Sequence, residues 1–203
     1  MSGALCKEKR YMLEAILNDK VSCKHLLIFD LDGTLINTDE VNFLAYKEAI
    51  KEVRKLDLTL LYKDDDRFTR ENLYSILAGL KVQEYENIIK IKNDVYHKYL
   101  HKSVVNHIIL KIIEKFSPSN KVALATNSHK DRANMLLRYH SLINVFDYTF
   151  YKEDYKNQGC NKFEYIFNHL NIDPSLAIVF DDDNYEIKKA IFLGVPHKNI
   201  VNL

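Results

Sequence analysis

Two aspartates separated by one residue, Asp30 and Asp32, come directly after an apolar run at residues 25–29. Two carboxylates placed this way at a strand end can lie in different environments and take different roles. Asp30 is suited to attack phosphorus as a nucleophile and to form an aspartyl-phosphate. Asp32 is suited to protonate the leaving oxygen and then to activate the water that hydrolyses the intermediate. The pair therefore predicts phosphoryl-transfer chemistry.

Polar clusters follow two other apolar runs of the chain. Thr126 follows the run 121–125, and the pair Asp181 and Asp182 follows the run 177–180. Two anions that face a phosphate need a cation, and Mg²⁺ prefers hard oxygen ligands. We therefore expect a magnesium site completed by Asp181 and Asp182, with the Thr126 hydroxyl bonding a phosphoryl oxygen and Gly33 allowing the tight turn after the first strand.

The elements that position these clusters can be predicted from the apolar pattern. From residue 104 onward, strands alternate with helices near 130–140, 162–170 and 185–193, and a short strand at 200–201 ends the chain. This alternation is typical of an α/β protein with a doubly wound parallel sheet. Such sheets bind ligands beyond the carboxyl ends of their strands, so the three polar clusters should converge on one crevice.

The domain organisation follows from where strands are missing. Residues 37–103 show helical patterns without a convincing strand, which predicts a helical cap inserted into a core of residues 24–36 and 104–203. Residues 1–23 are predicted to form an N-terminal helical extension, with its helix at 4–18, that packs on the sheet edge or mediates a dimer. The run Asp64, Asp65 and Asp66 within the cap is interpreted as a solvated loop.

Three segments resemble the haloacid dehalogenase superfamily of phosphotransferases. Residues 26–38, with Asp30-Leu31-Asp32-Gly33-Thr34, match its first motif; residues 122–128 match its second; and residues 177–195 match its fourth. The resemblance covers about residues 24–202 and implies a Rossmann-like core with a helical cap. It also implies that Asp30 and the backbone carbonyl of Asp32 are magnesium ligands, and that Gly33, Thr34 and Asn127 belong to the substrate site. An intact Asp-x-Asp favours the phosphatase and phosphomutase branches.

The third motif of the family is a lysine that neutralises the nucleophile and the phosphate, and here its usual signature is absent. Two lysines remain as alternatives: Lys156, expected in a loop, and Lys162, expected to open the following helix. Near the fourth motif, Asp183 is predicted to be a helix N-cap. Glu186 is a candidate outer-shell or metal ligand.

The cap segment from Asp39 to Lys47 is similar to the start of the cap in β-phosphoglucomutase and phosphoglycolate phosphatase relatives. The mutase uses a histidine where this chain has Asn42, which argues against mutase activity. The segment around Arg70 is similar to one whose arginine contacts a distal substrate phosphate, so Arg70 is a candidate substrate contact.

Composition limits the remaining possibilities. There are 29 Lys and Arg against 28 Asp and Glu, which gives no overall field to attract nucleic acid or an anionic membrane. Three scattered cysteines and no long apolar stretch favour a cytoplasmic protein without a membrane span. We expect a Mg²⁺-dependent phosphatase of a small phosphorylated metabolite, acting as a monomer or homodimer. The alternatives are a phosphomutase, or a catalytically idle relative that serves in binding.

Overall fold

The computed structural model describes residues 2–58, 68–70 and 72–203, with side chains from residue 11 onward. The predicted solvated loop at residues 64–66 lies outside the described residues. The chain divides into two compact units: residues 1–36 with 105–203, and residues 37–104. The cap predicted at residues 37–103 differs from the second unit by one residue, and the predicted N-terminal extension falls within the first.

The first unit is built on a parallel sheet. Its strands are β1 (Leu26–Phe29), β4 (Lys121–Ala125), β5 (Tyr148–Phe150), β6 (Ala177–Asp181) and β7 (Ile200–Asn202). In the described part of the chain these five strands pair in the order β5-β4-β1-β6-β7. Two short strands, β2 (Ile36–Asn37) and β3 (Val104–Val105), mark the points where the chain passes between the units.

One helix precedes the strands of this sheet and the others lie between them. They are α1 (Ser2–Lys20), α5 (His107–Phe116), α6 (Lys130–Tyr139), α7 (Lys152–Lys156), α8 (Lys162–Leu170) and α9 (Asn184–Phe192). The sequence pattern predicted all of these except α5 and α7. Burial on both faces explains why β1 is a continuous apolar run, because a central parallel strand needs apolar side chains toward both layers. The α/β fold class with a parallel sheet is confirmed.

The register of the sheet determines where the polar clusters lie. Phe29 of β1 is paired with Leu124 of β4 and with Phe180 of β6. The chain therefore leaves these three strands at the same, carboxyl-terminal edge of the sheet. Asp30 and Asp181 are next to each other across this edge, and the N–H of Asp30 donates to the carbonyl of Phe180 at 2.9 Å.

The N-terminal helix packs on the first unit. Leu17 of α1 is buried, and Glu14 forms an ion pair with Lys115 of α5 at 3.6 Å. The ammonium group of Lys20 donates to the carbonyl of Lys198, just before β7. These contacts attach α1 to α5 and to the segment before β7; a role in dimer formation stays a prediction.

The second unit is helical. It contains α2 (Asp39–Arg54), α3 (Leu73–Ile76), α4 (Val82–Val95) and a 3-10 helix at Tyr96–Lys102. It has an apolar core of its own, to which Tyr46, Ile50, Phe68 and Ile88 contribute. In the part of the chain that the structure describes, no helix is both long and apolar enough to cross a bilayer.

Candidate active site

Asp30 is buried at the end of the central strand, with 8% of its surface exposed. Its Oδ1 accepts a hydrogen bond from the Lys162 ammonium group at 2.8 Å. Burial raises the pKa of this carboxyl well above its ordinary range, and the charge of Asp181 adds to the effect while Lys162 opposes it. Asp30 therefore needs nearby cations to stay ionised.

Lys162 is the first residue of α8 and is only 1% exposed. Its Nζ donates to Asp30 Oδ1 and to Asp181 Oδ2, both at 2.8 Å. Burial disfavours the ammonium form, but the charges of the two carboxylates outweigh it and raise the lysine pKa above its ordinary value. The side chain is therefore a permanent cation between the first and fourth motifs.

Lys156, the other candidate for the third motif, lies elsewhere. It is the last residue of α7 rather than a loop residue, and its side chain is exposed. The loop expected around it is replaced by a short helix whose N-terminal capping box joins Tyr151 and Asp154. Of the two lysines, the structure brings only Lys162 into contact with Asp30.

Three carboxylates form a cluster that fits a metal ion. Asp30, Asp181 and Asp182 each offer one oxygen, and these oxygens lie within 4.8 Å of one another. When ionised, they carry three negative charges against the single charge of Lys162. A divalent cation would balance the excess, and an all-oxygen donor set suits Mg²⁺. The donor chemistry therefore fits the metal that the sequence indicated.

Hydrogen bonds hold both acids of the fourth motif in place. The buried Thr34 hydroxyl donates to Asp182 Oδ1 at 2.9 Å, and the N–H of Asp183 donates to Asp181 Oδ1 at 2.9 Å. Thr34 is 0% exposed and its hydroxyl lies against Asp182; its place in the substrate site stays a prediction. Such bonds orient the carboxylates and strengthen a metal site.

Gly33 has the turn geometry that the sequence predicted. Its φ of 93° lies in the region that favours glycine, and its N–H donates to the carbonyl of Ile36 at 2.8 Å. A side chain at this position would strain the turn that separates Asp32 from β2.

Asp32 is held by two side chains from the β4–α6 region. The Ser128 hydroxyl donates to Asp32 Oδ2 at 2.5 Å, and the Arg132 guanidinium also lies 2.5 Å from Oδ2. Arg132 additionally contacts the Ser128 hydroxyl. Sequence reasoning missed Arg132, although one signal was present: the first turn of a helix that follows the second motif directly must lie near the crevice.

Thr126 is buried at the end of β4 with 1% exposure. Its N–H donates to the carbonyl of Phe150, and its Oγ1 accepts from the N–H of Ser128, both at 3.0 Å. Its neighbour Asn127 is exposed, and its Oδ1 accepts a hydrogen bond from the Tyr155 hydroxyl. The motif is therefore tied to β5 and α7, and Tyr155 was not among the predicted residues.

Three further candidate residues from the sequence are Asp183, Glu186 and Arg70. Asp183 caps α9 by accepting from the N–H of Tyr185 at 2.8 Å, which confirms the predicted N-cap. Glu186 is buried; its Oε1 pairs with Lys189 at 2.7 Å, and its Oε2 has no hydrogen-bond partner among the described residues. Arg70 belongs to the second unit and is partly buried, and its substrate contact stays a prediction.

A parallel sheet with an acidic cluster beyond its central strands places the protein among the α/β proteins that bind ligands at the carboxyl ends of their strands. Within this class, the haloacid dehalogenase-like hydrolase family matches residues 27–198 of the chain. The chain belongs to this family of hydrolases.

Three relatives illustrate the similarity. The "Phosphorylated carbohydrates phosphatase" of Thermotoga maritima is 26% identical over 177 residues, which cover 83% of this chain and 81% of that protein. The crystal structure of a predicted phosphoglycolate phosphatase from Haemophilus somnus superposes with a TM-score of 0.71 at 17% identity, covering 90% of this chain and 86% of the other. CbbY from Rhodobacter sphaeroides, solved in complex with phosphate, has a TM-score of 0.64 at 18% identity, with 84% and 83% coverage.

Proposed function

We propose that this chain is a Mg²⁺-dependent phosphatase that hydrolyses a small phosphorylated carbohydrate through an aspartyl-phosphate on Asp30. The observation that carries the proposal is the buried contact of Asp30 with Lys162, beside the carboxylates of Asp181 and Asp182. A nucleophilic carboxylate needs neutralisation before it can approach an anionic phosphate; Lys162 supplies part of it, and a divalent cation held by the carboxylates would supply the rest.

In the first step, a carboxylate oxygen of Asp30 attacks phosphorus while the bond to the leaving oxygen breaks. Lys162 stays charged throughout and offsets the negative charge on Asp30 and on the incoming phosphoryl group. The Thr126 hydroxyl, at the end of the neighbouring strand, is the proposed donor to a phosphoryl oxygen. Positioning and charge compensation provide most of the catalysis in such transfers.

Asp32 is the proposed general acid and base. It would donate a proton to the leaving alkoxide and then accept one from the water that attacks the aspartyl-phosphate, so the carboxyl returns to its starting state. Ser128 and Arg132 both bond its Oδ2 and restrict its side chain.

The proposed metal ligands are Asp30, Asp182, Asp181 and, by family resemblance, the backbone carbonyl of Asp32. When bound, Mg²⁺ supplies charge neutralisation for the carboxylates and for the transferring phosphoryl group. The Thr34 hydroxyl is proposed to orient Asp182 toward this site.

The substrate class rests on the carbohydrate-phosphate relative from Thermotoga maritima. A phosphomutase would return the phosphoryl group to a second substrate hydroxyl. The position at which the mutase carries a histidine is Asn42 here, whose amide donates to the Thr38 hydroxyl at 3.3 Å. This difference supports hydrolysis. A cytoplasmic location and a monomeric or homodimeric state are part of the same proposal.

A screen of sugar phosphates, phosphoglycolate and nucleoside monophosphates, with and without Mg²⁺, tests the function. We expect hydrolysis of at least one sugar phosphate that is lost with chelator and in Asp30→Asn. Asp32→Asn is the matched mechanistic variant: with a reactive aryl phosphate it should accumulate phosphate on Asp30, detected by mass spectrometry. Turnover that survives in Asp30→Asn would exclude this nucleophile, and transfer to a second sugar hydroxyl instead of water would favour the mutase.

A further inference from the structure

The hydroxyl of Tyr155 connects α7 to the second motif. It lies 2.5 Å from Oδ1 of Asn127 and 3.2 Å from the carbonyl oxygen of Thr126. Both of these atoms are acceptors, so the single phenol proton is shared between them, with the shorter contact to Asn127. In this arrangement the oxygen of the Asn127 amide faces the Tyr155 hydroxyl.

The phenol remains a donor over the whole pH range in which such an enzyme works. Tyr155 is 6% exposed, and burial raises its pKa above the ordinary range; Lys162 opposes this, while Glu186, Asp30 and Glu153 add to it. These charged groups include the proposed nucleophile and its lysine. The hydroxyl therefore lies in the electrostatic field of the catalytic groups.

The orientation of Asn127 has a chemical consequence. Its side chain is exposed at the carboxyl end of β4, beside Thr126, where the phosphoryl group is expected. With the amide oxygen bonded to Tyr155, the amide nitrogen and its two N–H groups point away from the phenol. A rotated amide would present its oxygen to the anionic phosphate oxygens instead, and that contact is repulsive.

We infer that Tyr155 is a positioning residue that fixes the amide of Asn127, so that Asn127 presents N–H donors to the phosphoryl group. The inference rests on the proposed function for the place of the phosphate. In this inference α7, a helix that the sequence pattern did not predict, supports an uncharged side chain that contacts the phosphate. The side chain of Tyr155 itself does not touch the substrate.

A double-mutant cycle on Tyr155 and Asn127 tests this inference. Tyr155→Phe keeps the ring in the core and removes only the hydroxyl. We expect a rise of at least about tenfold in KM and in the inhibition constant of inorganic phosphate, the scale of one hydrogen bond to a charged group, with kcat changing less. Asn127→Ala should have a similar effect. In its background Tyr155→Phe should cause no further loss, because residues that act through one another are not additive.

Tyr151→Phe is the matched control. Tyr151 is also buried, and its hydroxyl donates to Oδ1 of Asn134 at 2.7 Å. It should leave phosphate inhibition unchanged. Additive losses in the cycle, or normal phosphate inhibition in Tyr155→Phe or in Asn127→Ala, would overturn the inference.

Binding of inorganic phosphate in the presence of Mg²⁺, measured by calorimetry, separates this inference from the proposed function. If no substrate is hydrolysed, the proposed function fails, and weaker phosphate binding in Tyr155→Phe and Asn127→Ala still supports the inference. If turnover depends on Asp30 but both variants bind phosphate like the unmodified protein, only the inference fails. Asn127 is exposed, so its variant keeps the test valid even where Tyr155→Phe lowers the melting temperature.

Discussion

The Nζ atom of Lys162 lies 2.8 Å from Oδ1 of Asp30, although 132 positions separate the two residues. Both side chains are buried, so their charges are weakly screened by water. We expect Lys162→Ala to leave uncompensated anions in the crevice and to lower kcat/KM at least about a hundredfold, the scale of losing about 3 kcal/mol of transition-state stabilisation.

Lys156→Ala is the control for this prediction, because Lys156 is exposed at the end of α7. It should change kcat/KM less than about twofold. Steady-state kinetics on the same substrate decide between the two lysines. Equal losses in both variants, or near-normal activity in Lys162→Ala, would show that another cation performs this role.

The burial of Asp30 predicts a pH-dependent stability difference in metal-free protein. Its pKa in the folded chain is raised above the ordinary 3.8, so the stability that the group contributes is present below that value and is lost as pH rises through the folded pKa. Asn cannot ionise and avoids this loss. Asp30→Asn should therefore melt at a higher temperature than the unmodified protein near neutral pH, with the difference shrinking toward pH 4.

Thermal unfolding with a chelator present, measured across this pH range, checks the prediction. Asp173→Asn is a suitable control, since burial contributes little there and the pKa of the Asp173 carboxyl is lowered by hydrogen bonds to Ser175. A lower melting temperature for Asp30→Asn at neutral pH would mean that the attraction of Lys162 outweighs the burial of the carboxylate.

Arg132 should matter most for substrates with poor leaving groups. It restrains Asp32, whose proton is needed by an alkoxide but not by p-nitrophenolate. Since general acid catalysis contributes about a hundredfold or more, Arg132→Gln should reduce kcat/KM for a sugar phosphate at least about tenfold. The loss for p-nitrophenyl phosphate should be much smaller.

The measurement is the ratio of kcat/KM for the sugar phosphate to kcat/KM for p-nitrophenyl phosphate. Arg132→Gln should lower this ratio, and Arg132→Lys should restore part of the loss. Arg138, an exposed residue on the same helix, provides the control variant Arg138→Gln. An equal loss on both substrates would indicate that Arg132 supports the fold or the phosphate rather than Asp32.

Thr34 should tune metal affinity without touching the substrate. Thr34→Val preserves the shape of this fully buried side chain but removes the donor to Asp182. Loss of such a supporting bond weakens metal binding about 10- to 100-fold, so activity should need correspondingly more Mg²⁺. Activity titrated with Mg²⁺ measures this, with Thr149→Val on β5 as the control. An unchanged Mg²⁺ requirement would contradict the role.

The polar residues of the site could be predicted from the sequence because each lies at the carboxyl end of a strand, either as its last residue or directly after it. A buried strand is a short, recognisable apolar run, and the residue after it must leave the sheet at a known edge. Asp30, Thr126 and Asp181 were therefore predictable from local pattern alone, and Asp183 was predictable from helix-capping preference.

The supporting contacts were not predictable, because they depend on tertiary packing between distant segments. Arg132 meets Asp32 across 100 positions, and Tyr155 meets Asn127 from a helix of five residues that has little apolar periodicity. The choice between Lys156 and Lys162 likewise depended on which of them α7 and α8 bury. Both candidates are lysines, so residue type could not show which of them contacts Asp30.

The two ends of the inserted segment meet at the core. The N–H of Asn106 donates to the carbonyl of Leu35 at 2.8 Å, and its amide side chain donates to the carbonyl of Thr34 at 3.1 Å. A segment whose ends are already joined has a closure entropy that grows only with the logarithm of its length. The core can therefore accept insertions of different size at this junction for a small thermodynamic cost. Evolution could exchange the segment that lies between these two points while the strands carrying Asp30, Thr126 and Asp181 stay as they are.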